Sequence, residues 1–532
     1  MYKKCIAGAS ILLLLLVLFF TADLQKIKFV LLNPVSSVMS EEIWNGKVRA
    51  ERFALGGLFC NGVLLAEDSV EKTFYVPVDM ENEVWEKMEF TVEAPGYELL
   101  FSEDFTEYDK QQVIREGWDI EFLIYNDTEF STYHLVFTGL PVISLSTAEG
   151  LENQKEIAGN AVFYDTNFTS QGIQTSAYEG HVRGNTSTLY PKKGYKLNLK
   201  KQYADGSIRK NKLSLFGMRE DDDWILYAIY NDESKLREKL SLELWDAFGS
   251  KEISAGAVYN SAMTYVEVLV DNAYYGLYGL KEPIDAKQLK LKESDYLYKR
   301  EDHGDFSEET FLQAKDPLEH VLGFEIKSGV QDEDAWLPMA AFSAVQTASD
   351  EVFKETAGTC MDTDNAMRLW LYIQVVAGYD QWKKNEFYIA RKQGDGYYFT
   401  FAPWDLDLTW GNRSDSNADT WYTAYDDSLI EKYYYWETGD RLVRLNVDNA
   451  EAEVQKLYKE LRQSVLSDDA LEQRIMEIDH VLRDSGAYER ERVRWPESAL
   501  AEDPQIVLNF AKERMNYLDT ALYDLEQFMV LD

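Results

Sequence analysis

The chain has 532 residues, 45% of them apolar and 14% aromatic, with 93 acidic against 54 basic side chains and a formal net charge of −39. That apolar content excludes a disordered chain, and the length exceeds what one core organises, so two or three structural units are expected. So acidic a surface repels phosphate backbones, which excludes nucleic acid as a partner, and it keeps an exported chain soluble.

Residues 1–22 open with Met1-Tyr-Lys3-Lys4 and run through an apolar stretch from Ile11 to Phe20. Two lysines ahead of such a run form an export signal. No small-x-small cleavage site follows, which favours an uncleaved signal anchor over a cleaved signal peptide within residues 1–24. Either form puts the rest of the chain outside the cytoplasmic membrane, anchored or secreted, with membrane contact through this segment alone. The cysteines are Cys5, Cys60 and Cys360, too few for a disulfide scaffold, and the last two read as isolated buried thiols. The five histidines show no zinc-ligand spacing, and no Gly-x-Ser-x-Gly elbow is present.

From 42 to 138 short alternating runs such as Lys72-Thr-Phe-Tyr-Val-Pro-Val and Ile120-Glu-Phe-Leu-Ile-Tyr predict a small β-rich, sandwich-like module. A second strand-rich region opens at Leu140. A helix is predicted from about Asn231, with Leu236, Leu240, Leu244 and Phe248 at helical spacing and Gly249 as its stop. Tyr265 to Leu280 reads as a hairpin turning at Asp271-Asn272. The acidic span 300–365 reads as a mainly helical insertion, and a helix from Met367 leads into the loop of Asp380. Beyond 446 helices dominate without sustained heptads.

The chemistry concentrates between Gly378 and Asn412. Asp380 is followed five residues later by Asn385, then an apolar hairpin, then Pro403-Trp-Asp405-Leu-Asp407-x-Thr-x-Gly411. This is the spacing with which phosphoryl-transfer sites place a carboxylate near an acceptor hydroxyl and metal-holding oxygens near phosphates. In an extended backbone Asp405 and Asp407 point oppositely; a sharp turn at Trp404 turns both to a metal. The cationic element is Arg183-Gly-Asn-Thr-Ser followed by Pro191-Lys-Lys-Gly-Tyr-Lys196. Lys196 sits in an alternating strand from which its ammonium can project towards phosphates, and a solvated basic hairpin is the plainer reading. Neither a Walker A loop nor Gly-x-Gly-x-x-Gly occurs.

With Asn231-Asp-x3-Leu-Arg and Tyr275-Gly-Leu-Tyr-x-Leu-x-Glu282-x-Ile-Asp285 added, this ordered set resembles the spore-coat protein H (CotH) kinase family over about 140–445. The resemblance implies an α+β, divergent protein-kinase-like two-lobed domain, preceded by the β module and the N-terminal hydrophobic helix and followed by a helical extension at 446–532. It implies ATP and Mg²⁺ or Mn²⁺ as cofactors and serine or threonine of a protein as acceptor. Carried over by motif, Asp380 is the catalytic aspartate, Asn385, Asp405 and Asp407 hold metal, and Lys196 and Arg183 bind the nucleotide. Glu282 falls in the segment linking the lobes, beside the nucleotide. The helix glutamate that would pair with Lys196 stays open among Glu233, Glu238 and Glu243. Two other functions compete: a non-catalytic extracellular assembly or surface-binding protein, and a glycosidase with paired carboxylates among aromatic platforms.

Overall fold

The computed structural model of the chain describes residues 45–530 except 54–55, 80–87, 149–155, 168–171, 185, 249–258, 383, 418–419 and 499–502. The apolar run at 1–22, expected as an anchor, and Gly249, expected as a helix stop, lie outside the described residues. Among the described residues no helix is long and apolar enough to cross a membrane. Contacts divide the chain into two compact units: the first is drawn from residues up to Val136, and the second begins at Phe137 and also takes Ile114–Gly117.

In the first unit one sheet orders Ala66–Asp68, Thr73–Pro77, Glu129–Thr138, Ile120–Tyr125 and Glu98–Phe101, and a smaller one orders Val63–Leu64, Leu58–Cys60 and Phe90–Val92. Phe90 of the small sheet lies edge-on to Phe101 of the large one at 5.4 Å, so the two share an aromatic core. Cys60 and Cys360 are both free and buried.

The second unit opens with strands that close on themselves: β1 (Val142–Thr147), β2 (Glu156–Tyr164), β3 (Ile173–Arg183), β4 (Gly194–Gln202), β5 (Asp223–Tyr227), β6 (Met263–Val270) and β7 (Ala273–Lys281). Their order is β3-β2-β1-β6-β7-β5-β4, and β4 pairs again with β3 to complete a ring. Neighbours are antiparallel apart from β1 beside β6. Closure leaves the ring without open edges, and its interior is filled by alternate residues such as Ile143, Phe163, Leu197, Trp224, Val266 and Leu280. The β6–β7 turn sits at Asp271-Asn272, both left-handed (φ 49° and 58°), the backbone a two-residue hairpin requires.

Helix α1 (Arg237–Ala247) follows β5. It begins later than Asn231 because the buried Asp232 carboxylate folds the approach into a loop. Asp232 accepts from the backbone N–H groups of Ser234 (3.0 Å) and Arg237 (2.8 Å) and binds the Arg237 guanidinium at 2.6 Å. Beyond the ring come β8 (Tyr296–Arg300), β9 (Phe324–Ser328), α2 (Leu337–Thr347), α3 (Asp350–Cys360), α4 (Thr363–Val376), β10 (Glu386–Gln393) and β11 (Gly396–Pro403). The strands form one antiparallel sheet in the order β9-β8-β10-β11. The expected helical insertion at 300–365 is therefore part of the domain's own framework, since it supplies an edge strand, β9, besides α2 and α3. Helix α4 is exposed at Asp364 near its start and buried from Leu369 onward, with Leu369, Trp370, Leu371, Ile373, Val375 and Val376 at 0% exposure.

A hairpin of β12 (Asn412–Asn417) and β13 (Thr420–Tyr425) precedes α5 (Glu437–Arg444), α6 (Ala450–Arg462), α7 (Asp468–Asp484), α8 (Ala487–Arg494) and α9 (Gln505–Ala521). These last helices share a continuous core with α4. Helix α8 is also built into the ring of strands. Gly276 in β7 is left-handed (φ 117°), and a Cβ there would lie 2.6 Å from Glu491 Oε2. The close approach lets Glu491 accept from the Leu277 N–H at 2.8 Å while its other oxygen binds the fully buried Lys192 ammonium at 2.6 Å. Lys192 also donates to the Leu277 carbonyl. Arg490 likewise binds the buried Glu267 of β6 at 2.6 Å. Lys192 is thus taken up in holding the β3–β4 connection to α8.

Removing one partner of so buried a pair leaves an uncompensated charge. Glu491→Ala is therefore expected to destabilise the protein by about 3–5 kcal/mol, and the double variant Lys192→Met/Glu491→Gln to recover most of it. Urea unfolding of the two variants beside the parent checks this; equal destabilisation by single and double variants would refute it.

Candidate active site

The loop of Asp380 starts where α4 stops. Ala377 takes the left-handed conformation (φ 53°), and the Gly378 N–H returns to the Ile373 carbonyl at 3.0 Å, closing the helix end. Backbone bonds then stitch this end to the Asp405–Gly411 turn: Tyr379 N–H to Leu408 O at 2.9 Å and Trp410 N–H to Val376 O at 2.8 Å. Asn385 is fixed on both sides, its N–H on Arg300 O at 2.8 Å and its carbonyl accepting from Trp404 N–H at 2.8 Å. Gln381 donates to the carbonyls of Trp404 (2.9 Å) and Asp405 (3.0 Å).

Asn385 and Asp405 are left-handed, with φ 62° and 58°. Non-glycine residues hold that backbone at a cost, and such strain clusters at functional sites. Here it settles the question the sequence leaves open, because a left-handed Asp405 ends the extended run of β11. Asp380, Asn385, Asp405 and Asp407 all line one cleft of about 1770 Å³, on the side facing the ring of strands.

Within the cleft the Asn385 amide donates to Asp380 Oδ2 at 3.2 Å, and Lys384 Nζ lies 2.8 Å from the same oxygen. Burial raises the Asp380 carboxyl above the usual carboxylate range, while the Lys384 ammonium opposes the rise. Burial and then the charge of Asp405 push Asp407 well above it, against one amide bond from Asn231 at 2.5 Å. Carboxylates that outnumber the one Lys384 ammonium among them are the donor set of a site for a hard divalent ion, so these residues fit the implied metal.

The opposite wall is basic. Arg183 has no carboxylate partner among the described residues, and its guanidinium lies 5.7 Å from the Trp404 ring centre. Lys196 is 36% exposed, with Asp223 at 3.9 Å. Burial and then the charges of Lys196, Arg183 and Lys327 hold His181 below the usual imidazole range, which marks this wall as electropositive in a chain of net charge −39. The inner part of the cleft is apolar, where Ile225, Ile284, Leu297 and Phe387 belong to one cluster.

Glu282 sits differently from expectation. Its carboxylate is turned to the Arg219 N–H, which donates at 2.9 Å, and the following Pro283, Ile284 and Asp285 line the cleft in its place. The partner of the open helix glutamate also differs. Glu238, buried on α1, binds Lys281 of β7, and its second oxygen accepts from Leu406 N–H, between Asp405 and Asp407, at 2.6 Å. Lys281 lies 3.9 Å from the centre of the Trp404 ring. Glu233 instead neighbours Arg237 at 3.5 Å, and Glu243 binds Lys239 and Arg474. Lys281, Lys384, Asn231 and Gln381 are the site residues that sequence reasoning missed. Asn231 was present as the first residue of a motif with no site role given to it, and Lys281 left a trace as a lysine at the end of an alternating strand just before Glu282-Pro283.

The chain is similar to known proteins in three respects. The family model described as "CotH kinase protein" matches residues 181–518. Inner spore coat protein H of Bacillus subtilis (strain 168) is 24% identical over 303 residues, spanning 55% of this chain and 76% of that protein. Among solved structures, the proinflammatory kinase CtkA of Helicobacter pylori aligns over 62% of this chain and 94% of its own, at 8% identity and a TM-score of 0.21.

Lys281 and Lys196 are expected to differ on removal. Lys281→Met leaves the buried Glu238 carboxylate with one backbone donor and should cost about 3–5 kcal/mol, whereas Lys196→Met should change stability by less than about 1 kcal/mol, as for an exposed pair. Chemical denaturation of both variants checks the contrast; similar losses would refute it.

Proposed function

From the chain's membership of the CotH family, we propose that this cleft transfers the γ-phosphoryl group of ATP to a serine or threonine hydroxyl of a protein. The observation that carries the reading is the convergence of Asp380, Asn385, Asp405 and Asp407 on one face of a cleft whose other face bears Arg183 and Lys196. A divalent cation, Mg²⁺ or Mn²⁺, held by Asn385, Asp405 and Asp407, would offset the charge of the bound triphosphate. Arg183 and Lys196 would bind phosphate oxygens, and the apolar cluster around Ile225, Ile284, Leu297 and Phe387 would take the base. Asp380 would orient the acceptor hydroxyl and accept its proton, with Lys384 keeping the carboxylate charged. The curated relative is named for the inner spore coat, which supports a spore-coat or other extracytoplasmic setting for this chain.

A non-catalytic binding role is the second reading. It is favoured by the Lys384–Asp380 ion pair, which occupies the carboxylate that catalysis needs.

Labelled γ-phosphate transfer with Mg²⁺ or Mn²⁺ separates the two. Asp380→Ala is expected to lower transfer by about 10²–10⁴-fold with nucleotide binding retained. Asp405→Ala should lose metal-dependent nucleotide binding, and Lys196→Met should weaken it. A parent protein that binds ATP with metal but labels no acceptor would reverse the preference.

A further inference from the structure

We propose that Ser414 is an acceptor of phosphate within its own chain; the inference rests on the kinase reading of the same cleft. Ser414 lies on β12 and lines the cleft together with Asp380, Asp405 and Asp407. It is half-buried, and no hydrogen bond holds its hydroxyl among the described residues. The hydroxyl is therefore free to turn to a reacting phosphorus.

Its place follows from Asn412. The Asn412 amide donates to the Asp407 carbonyl at 3.0 Å and to the Asn231 carbonyl at 3.4 Å, so this side chain points at the acidic cluster. Side chains two residues apart on a strand share a face about 7 Å apart, which puts Ser414 on that same face, one step farther along the cleft. The hairpin's base is rigid. Asp426 N–H donates to Gly411 O at 2.8 Å, Arg413 binds Asp426 at 2.9 Å, and Tyr425 stands edge-on to Phe510 at 6.2 Å. β13 also lies against the short helix Thr186–Leu189, so the hairpin reaches from the acidic turn to the segment that follows Arg183.

Two other serines line the cleft and suit the role less. Ser328 is in register with Leu297, in the apolar part where a base would sit. Ser187 belongs to that short helix, on the segment that follows Arg183 of the basic wall and not on the strand that follows Asp407. In the step itself the Ser414 oxygen forms a bond to the γ-phosphorus of ATP while the bond from that phosphorus to the β-phosphate oxygen breaks. ADP leaves with the bonding pair, and the serine proton passes to Asp380.

The test incubates the full chain with ATP and Mg²⁺, maps phosphosites by mass spectrometry and measures the rate over a wide range of protein concentration, with dephosphorylated casein as an external acceptor. Phosphate on Ser414 at a concentration-independent rate, lost in Ser414→Ala and moved to threonine in Ser414→Thr, is the expected result. Because no hydrogen bond among the described residues holds the serine side chain, neither variant should change the melting temperature. Phosphate only on Ser187, Ser328 or elsewhere, or a Ser414 rate rising with concentration, would overturn the proposal. Asp380-dependent labelling of casein with Ser414 unmodified would overturn it and leave the kinase reading standing. Absence of both transfer and ATP binding would overturn both.

Discussion

Everything at the cleft hangs on the carboxylate of Glu238. One oxygen takes the ammonium of Lys281 from the ring of strands and the other takes the Leu406 N–H from between Asp405 and Asp407. A single buried side chain thereby ties α1, β7 and the acidic turn together, three pieces more than a hundred residues apart at the extremes. Both oxygens have partners and no water is needed, which is the condition under which a buried charge is tolerable. The left-handed Asp405 next to it would otherwise relax towards the extended backbone of β11.

The ring of strands is held from its far side by the same device. Glu491 of α8 fills the gap that Gly276 leaves, satisfying Leu277 N–H and Lys192 together. Tyr488 and Ser498 reach the same region, on Ser234 O at 3.1 Å and Tyr230 O at 2.9 Å, at the entry to α1. The C-terminal helices thus belong to the framework that positions α1, and through Glu238 the acidic turn. Their separation as an extension, natural from the sequence break near 446, has no counterpart in the packing.

What the sequence revealed follows from the range of each interaction. The hairpin at Asp271-Asn272, the helix from Met367 into the Asp380 loop, which the structure starts earlier at Thr363, and the strand pair between Asn385 and Asp405 were legible because local spacing determines them. The convergence of Asp380, Asn385, Asp405 and Asp407 was legible as a motif, though the turn at Asp405 was not, since nothing in Trp-Asp-Leu specifies a left-handed backbone. The pairings of Lys281 with Glu238 and of Glu491 with Lys192 and Leu277 depend on the ring's register, and that of Asn231 with Asp407 spans 176 residues, so the sequence held these residues without showing their partners. Glu282 failed for the same reason: it follows directly on the end of β7, in the linking segment expected for it, but its side chain turns to Arg219.

Register also explains why two lysines stand near the cleft where one would be expected. In protein kinases a single strand lysine touches the nucleotide phosphates and pairs with a helix glutamate. Here Lys196, Ile225 and Lys281 stand opposite one another across β4, β5 and β7, so all three project to the same side of the ring. The middle position, on the strand that leads to α1, is apolar and joins the cluster around Ile284 and Leu297. The two charges flank it. Lys281 is buried against Glu238 and Trp404 and absent from the cleft lining, while Lys196 lines the cleft and keeps solvent contact. Dividing the duties lets the structural pair stay permanently satisfied, so α1 is held in place whether or not a phosphate is bound. The exposed lysine is then free to respond to a ligand at little cost to the fold.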